Sequence, residues 1–261
     1  MRIAVIGGTG LIGTRLVARL VADGHDVTAV SRAMGVNSYT GEGLADALAG
    51  VETLIDVSNS GYLDERGAND FFYGSTLNLL TYGAGAGVRH HLALSVVGTD
   101  RLARTEHGYF AAKAAQEQLI RRSGQQYTIV HATQFFESIP RIADASTTRN
   151  TARLSHALIQ PMAAEDVAAA VATTAVGSPM NRVVEFAGPE QFRLEEIVRR
   201  ELLIRGDQHH GAHDPLTRYF GTDLDEDELL PGPDATIAPT RFDEWLVAVG
   251  RADEAPGPVS L

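Results

Sequence analysis

Tyr109 and Lys113 stand four residues apart in a stretch of helical pattern, and Ser95 closes an apolar run fourteen residues before the tyrosine. Residues at that spacing share a helix face, so an ammonium would lie beside a phenol. A free phenol keeps its proton up to a pKa near about 10, and a neighbouring cation lowers that value by stabilising the phenolate. Tyr109 would then hand a proton to an oxygen on which charge develops, with Ser95 orienting that oxygen and Lys113 also binding sugar hydroxyls. The same spacing arises by chance in helices whose tyrosine only packs. What separates the two cases is where the surrounding elements put the three residues.

Those elements begin at the first residues of the chain. Arg2 to Ile6 is a short apolar run without alternation, as expected of a strand covered on both faces. Gly7-Gly8-Thr9-Gly10-Leu11-Ile12-Gly13 follows, then Thr14 to Asp23 at helical spacing, with Leu16, Val17, Leu20 and Val21 on one face, then a second strand at Asp26 to Val30. In such a βαβ unit Gly7 permits a tight exit from the strand, Gly10 lets backbone approach a pyrophosphate, and Gly13 lets the helix lie close to the sheet. The helix N-terminus opening at Leu11 offers free amides and a positive dipole end, so Gly7, Thr9, Gly10, Leu11, Ile12 and Gly13 are the expected dinucleotide cradle. An acid at the end of the second strand would hold the ribose diol of NAD; this chain has Ser31-Arg32 there, which favours the 2′-phosphate of NADP, with NAD the lesser choice.

The rhythm continues with a helix at Glu42 to Leu48, a strand at Thr53 to Val57, and a helix over Ala68 to Ala84 with Phe72, Leu77 and Leu80 on its apolar stripe. A strand at His90 to Ser95, a helix over Gly108 to Ser123 and a strand at Tyr127 to His131 come next. Alternation of this kind predicts a doubly wound parallel α/β sheet of the Rossmann type. Ser95 then ends the fourth strand, and Tyr109 and Lys113 open the helix after it. The expected organisation is a nucleotide-binding domain over residues 1–153, rejoined by a helix at Ala164 to Val176 and a strand at Val183 to Phe186 within 164–187. Residues 188–250, with helices at Phe192 to Ile204 and Thr240 to Val249, form a small substrate-binding lobe, and 251–261 a flexible tail.

Composition narrows the partners. The 261 residues include 22 basic and 33 acidic side chains, a formal net charge of -11, and no cysteine. Without a dense basic cluster, nucleic acid is excluded as a partner, and thiolate, disulfide and cysteine–metal chemistry are absent outright. No apolar run reaches the length of a membrane span, so a cytoplasmic protein acting on a small molecule is expected. His209, His210 and His213 cluster in an expected loop, where only Asp207 or Asp214 stands near enough in sequence to complete a set, and no metal is assigned. The helix patterns leave monomer or homodimer undecided.

Taken together, the Gly7 to Gly13 loop, Leu94-Ser95-Val96-Val97-Gly98, Tyr109-Phe110-Ala111-Ala112-Lys113, Ala132-Thr133-Gln134-Phe135, Phe186-Ala187-Gly188-Pro189 and Arg241-Phe242-Asp243-Glu244-Trp245 resemble the short-chain dehydrogenase/reductase superfamily, in its atypical, NmrA-like branch. The resemblance implies hydride transfer from NADPH to a small hydrophobic or aromatic carbonyl, quinone, imine or enone, with Tyr109 as proton donor. It places Val57, Ser58, Asn59 and Thr133 beside the cofactor, and Gln134, Phe135 and Phe136 beside the substrate. Many members carry arginine where this chain has His131, so no binding role is assigned there. Other members have lost catalysis and serve as cofactor-binding sensors or scaffolds, and others are isomerases or cyclases; both alternatives stand.

Overall fold

In the computed structural model, residues 1–60, 65–104, 108–148, 151–204, 210–213, 219 and 224–253 are described. The strands are β1 (Arg2–Ile6), β2 (Asp26–Val30), β3 (Thr53–Asp56), β4 (His90–Val96), β5 (Tyr127–Ala132), β6 (Thr147–Thr148), β7 (Thr151–Leu154), β8 (Leu158–Ile159), β9 (Val183–Ala187), β10 (Phe192–Arg193), β11 (His210–His213) and β12 (Thr236–Ile237). The helices are α1 (Leu11–Ala22), α2 (Leu44–Ala47), α3 (Glu65–Ala86), α4 (Thr99–Leu102), α5 (Tyr109–Arg122), α6 (Ile139–Ser146), α7 (Ala164–Val176), α8 (Leu194–Ile204) and α9 (Phe242–Asp253).

Seven strands form one sheet in the order β12-β9-β5-β4-β3-β1-β2, every neighbouring pair parallel. Both faces are covered, which explains the uninterrupted apolar runs. Ile3 and Val5 point into one core with Ile12, Leu16 and Leu20 of α1 and Val167, Val171 and Ala175 of α7. Ala4 and Ile6 point into the other with Leu44, Leu48 and Leu79. Each such large side chain contributes on the order of 1.5–3 kcal/mol by leaving water. The alanines of α7 let it approach α1 closely, and α3 packs on α5 across the opposite face. Because β2 and β3 flank β1 on opposite sides, the chain reverses direction across the sheet at β1, and a crevice opens above the carboxyl ends of β1 and β3. This is a Rossmann-type fold.

The apolar stripes differ in detail from expectation. Val21 and Leu77 face solvent, at 54% and 46% exposure, while Leu79 takes the buried place beside Leu80 and Phe72. A third core joins Ile139, Ile142 and Ala143 of α6, Leu154, Ile159, Ile197, Val198 and Leu202 with Phe136 and Phe242. This core therefore takes in residues from 139 onward as well as those after 188, and Leu102 and Phe110 from before them. Conversely, Thr236–Ile237, expected within the smaller lobe, returns to the sheet as its edge strand. The two-residue strands carry no periodicity of their own, so nothing in the sequence announced them. Residues 254–261 of the expected tail lie outside the described residues.

Candidate dinucleotide and substrate site

Above the carboxyl ends of β1 to β4 lies a cavity of about 610 Å³. One end is walled by Gly7, Thr9, Gly10, Leu11 and Ile12, together with Ser31 and Arg32 after β2 and Val57, Ser58 and Asn59 after β3. The other end is walled by Ser95, Tyr109, Lys113, Phe135, Ser138 and Arg141. Gly7 has φ +80°, and a Cβ there would lie 2.8 Å from the Ser58 Cα, so the loops after β1 and β3 meet backbone to backbone. Gly13 does not line the cavity, contrary to its expected place among the lining residues. Its contribution is packing: a Cβ would fall 2.1 Å from the Gly7 carbonyl oxygen.

The first turn of α1 has no side-chain cap and no acidic residue, which leaves its amides and dipole end facing the cavity. The Ser31 hydroxyl is buried without a hydrogen-bond partner, and exposed Arg32 has no ion pair among the described residues. A glycine cradle with no room for a Cβ at Gly7, an orphaned hydroxyl and a guanidinium without an ion pair among the described residues fit a phosphorylated dinucleotide.

Lys113 is buried, yet its ammonium reaches the cavity wall. It donates to the Leu94 carbonyl at 2.9 Å and to the Gln116 amide oxygen, and sits 4.5 Å from the centre of the Phe72 ring. Gln116 in turn donates to Asp56 at 3.0 Å, and Asp56 holds the Ser58 amide and hydroxyl at 2.9 and 2.6 Å. Burial pulls the Lys113 pKa down to about 8, against the carboxylates of Asp56 and Glu117. Burial likewise raises the Asp56 carboxyl. Of three ammonium donors, two are engaged by protein, leaving one for a ribose hydroxyl.

Two expectations about the chemistry change here. The Tyr109 phenol is pushed up by burial to about 12, with Arg141 pulling the other way, rather than lowered by Lys113, whose ammonium is turned to other acceptors. Ser95 is 3% exposed, and its hydroxyl donates to Glu117 at 2.6 Å, so its proton is not available to orient a substrate oxygen. Glu117 also receives the His131 Nε2–H at 2.8 Å and Arg121 at 2.9 Å. His131 Nδ1 lies 3.6 Å from Glu185, which accepts the Gly232 amide at 2.6 Å.

The residues after β5 divide. Phe135 lines the cavity. Phe136 is fully buried, its ring 5.2 Å from Phe242 and 5.4 Å from Trp245, and belongs to the core of the smaller lobe. Thr133 spends its hydroxyl on the Gln160 carbonyl at 2.7 Å, and Gln134 is buried beside it with its carbonyl accepting the Met162 amide at 2.9 Å. Neither is among the residues lining the cavity, because both are buried in the turn after β5. His210 and His213 lie on β11, paired in parallel with β7 rather than in a loop, and His209 lies outside the described residues. Among the described residues no group of three or more His, Asp or Glu could hold a metal, and no helix is long and apolar enough to cross a membrane.

Asp56, Gln116, Glu117, Glu185 and Arg141 went unread in the sequence. Glu117 had a usable signal, since it follows Lys113 by four and shares its buried face. His131 had another, as a polar residue inside an otherwise apolar buried strand.

A parallel sheet with a glycine cradle at its reversal point defines a dinucleotide-binding protein of the Rossmann class. The family model described as NAD(P)H-binding matches residues 35–177, and the chain belongs to that family, in keeping with its likeness to the NmrA-like branch of the short-chain dehydrogenase/reductase superfamily. Among curated proteins, the photosystem II assembly factor Ycf39 of Synechocystis is 23% identical over 153 residues, covering 53% of this chain and 46% of the relative. The Ycf39 of Cyanophora paradoxa is 24% identical over 153 residues, covering 53% and 47%. The chain spans about half the length of these relatives. Among solved structures, MoeE5 in complex with UDP-glucose and NAD has a TM-score of 0.75 at 18% identity, over 98% of this chain and 100% of that one. A UDP-glucose 4-epimerase of Thermotoga maritima with UDP-glucose has 0.75 at 16%, over 97% and 100%. These likenesses show the fold.

Proposed function

We propose that this protein is an NADPH-dependent reductase of a small hydrophobic or aromatic carbonyl or related unsaturated substrate. The supporting observation is that one cavity joins the glycine cradle and Arg32 at one end to Tyr109, Lys113 and Phe135 at the other. When bound, NADPH supplies a hydride to the electrophilic carbon of the substrate. As the carbon–oxygen π pair moves onto oxygen, Tyr109 gives that oxygen its phenolic proton, and the phenolate left behind is reprotonated from solvent through the open cavity. A phenol held near pKa about 12 is fully protonated at neutral pH, the form an acid needs, and it remains a far stronger acid than the alcohol it produces. Lys113 has its remaining donor for a ribose hydroxyl and so places the cofactor against Phe135. Ser95 serves this scheme indirectly, through Glu117.

Arg32 selects the cofactor in this reading, since a guanidinium binds a phosphate monoester with charge-assisted hydrogen bonds. Arg32→Ala is expected to weaken NADPH binding about tenfold and leave NADH unchanged, measured by fluorescence titration. The function itself is tested by NADPH oxidation across a panel of quinones, aromatic ketones, imines and enones. Tyr109→Phe is expected to lower turnover about a hundredfold with NADPH affinity retained. Tight NADPH binding without turnover on any member would overturn the reductase. It would favour a second reading, a non-catalytic NADP-binding scaffold or sensor, to which the commitment of Ser95 to Glu117 and the similarity to an assembly factor both lend weight.

A further inference from the structure

The chain carries 33 acidic residues against 22 basic ones, yet among the described residues those lining the cavity include Arg32, Lys113 and Arg141 and no aspartate or glutamate. Two of these cations have assignments above, Arg32 at the end of β2 and Lys113 against Leu94, Gln116 and the cofactor ribose. Arg141 has none. It lies in the first turn of α6, where Ile139, Ile142 and Ala143 turn into the core of the smaller lobe and leave Ser138 and Arg141 on the cavity side. Among the described residues it forms no hydrogen bond or ion pair, although acids outnumber bases three to two. Its lining neighbours are Tyr109, Phe135 and Ser138, at the end of the cavity away from the glycine cradle.

We propose that Arg141 is the recognition residue for a carboxylate on the substrate, so that the preferred compounds are small oxo acids with an apolar body. This rests on the reductase reading of the same cavity and adds to it the charge of the substrate. A planar guanidinium matches a carboxylate through two parallel hydrogen bonds. A phosphate dianion would call for a second cation, and among the described residues this end of the cavity offers only Lys113 besides, which is engaged by Leu94 and Gln116. Phe135 and the Tyr109 ring offer the apolar surface for the rest of the molecule. The Arg141 charge is felt at the Tyr109 phenol, so an anion bound to it would sit beside the proton donor.

The test uses the NADPH-loaded protein. Titration calorimetry with benzoate and methyl benzoate is expected to show the acid binding at least tenfold tighter, a preference abolished in Arg141→Gln and partly restored in Arg141→Lys. In parallel, the KM of phenylglyoxylate is expected to rise at least tenfold in Arg141→Gln while that of its methyl ester holds, with NADPH affinity changed less than twofold. Equal binding of acid and ester, no binding of benzoate, or an acid preference that survives Arg141→Gln overturns the proposal. So does a parallel loss of NADPH affinity, which would assign Arg141 to the cofactor. An Arg141-dependent benzoate preference without hydride transfer to any substrate would leave the anion site standing and remove the reductase. Turnover of neutral carbonyls indifferent to Arg141 would do the reverse.

Discussion

His131→Ala is expected to lower the unfolding free energy by about 3–5 kcal/mol, and the melting temperature by about 10 °C. The imidazole is 4% exposed between two carboxylates, Glu117 at 2.8 Å and Glu185 at 3.6 Å. Burial alone would pull its pKa down, but its contacts with both carboxylates outweigh that and raise it above the ordinary value. Burial would raise Glu117, but its bonds from His131 and Ser95 win and lower it; the His131 contact likewise lowers Glu185. Removing the ring leaves Glu117, 4% exposed, with one donor fewer and a partly uncompensated charge. The sign with pH follows. A raised histidine contributes its full stabilisation below about pH 6.5 and loses it as pH climbs through the folded value; the lowered carboxylates contribute above about pH 4.5 and lose it in acid. Denaturant unfolding should therefore show the largest gap between native protein and variant near pH 5.5 and a smaller one at pH 8.5. A gap of equal size at both would mean that the imidazole acts by packing alone.

Gly13→Ala is expected to cost about 3 kcal/mol and to weaken dinucleotide binding on the order of a hundredfold. The obstacle is backbone, with the new Cβ 2.1 Å from the Gly7 oxygen and 2.7 Å from the Gly8 Cα. Neither can step aside cheaply, because the Gly7 amide is bonded to the Val30 carbonyl at 2.9 Å and the Gly7 oxygen accepts the Gly10 amide at 2.9 Å. α1 must lift off β1, and the loop that shapes the phosphate end moves with it. Circular dichroism melting and an NADPH titration on the same sample check both numbers. Native stability with native affinity would show that the contact of helix and loop is slack.

How much of this was readable follows from what each pattern encodes. The glycine spacing and the apolar run of β1 report local geometry, and they located β1, α1 and β2 to within a few residues. Tyr109 and Lys113 were put on one helix face correctly, and both reach the cavity. Their electrostatics were not readable, because Lys113 satisfies itself on Gln116, one turn further along α5, and on Leu94, which only the packing of α5 against β4 brings near. The Ser95–Glu117–His131–Glu185 chain joins one helix and three strands, and each member alone looks like an ordinary polar residue. Phe135 and Phe136 are adjacent and alike in type, yet one turns to the cavity and the other to Trp245; which of the two does so depends on the short turn after β5.

The edge strand β12 also bears on the order in which the molecule is assembled. It supplies Thr236 and Ile237 to a sheet whose other six strands are complete by Ala187. As the chain emerges during synthesis, the outer edge of β9 must wait through nearly fifty further residues with its hydrogen-bonding groups open at Phe186 and Ala187. An unpaired edge of that kind is a template for pairing with another nascent chain. The interval between the appearance of Ala187 and the docking of Ile237 is therefore the stage of biogenesis at which this protein is most exposed to misassembly.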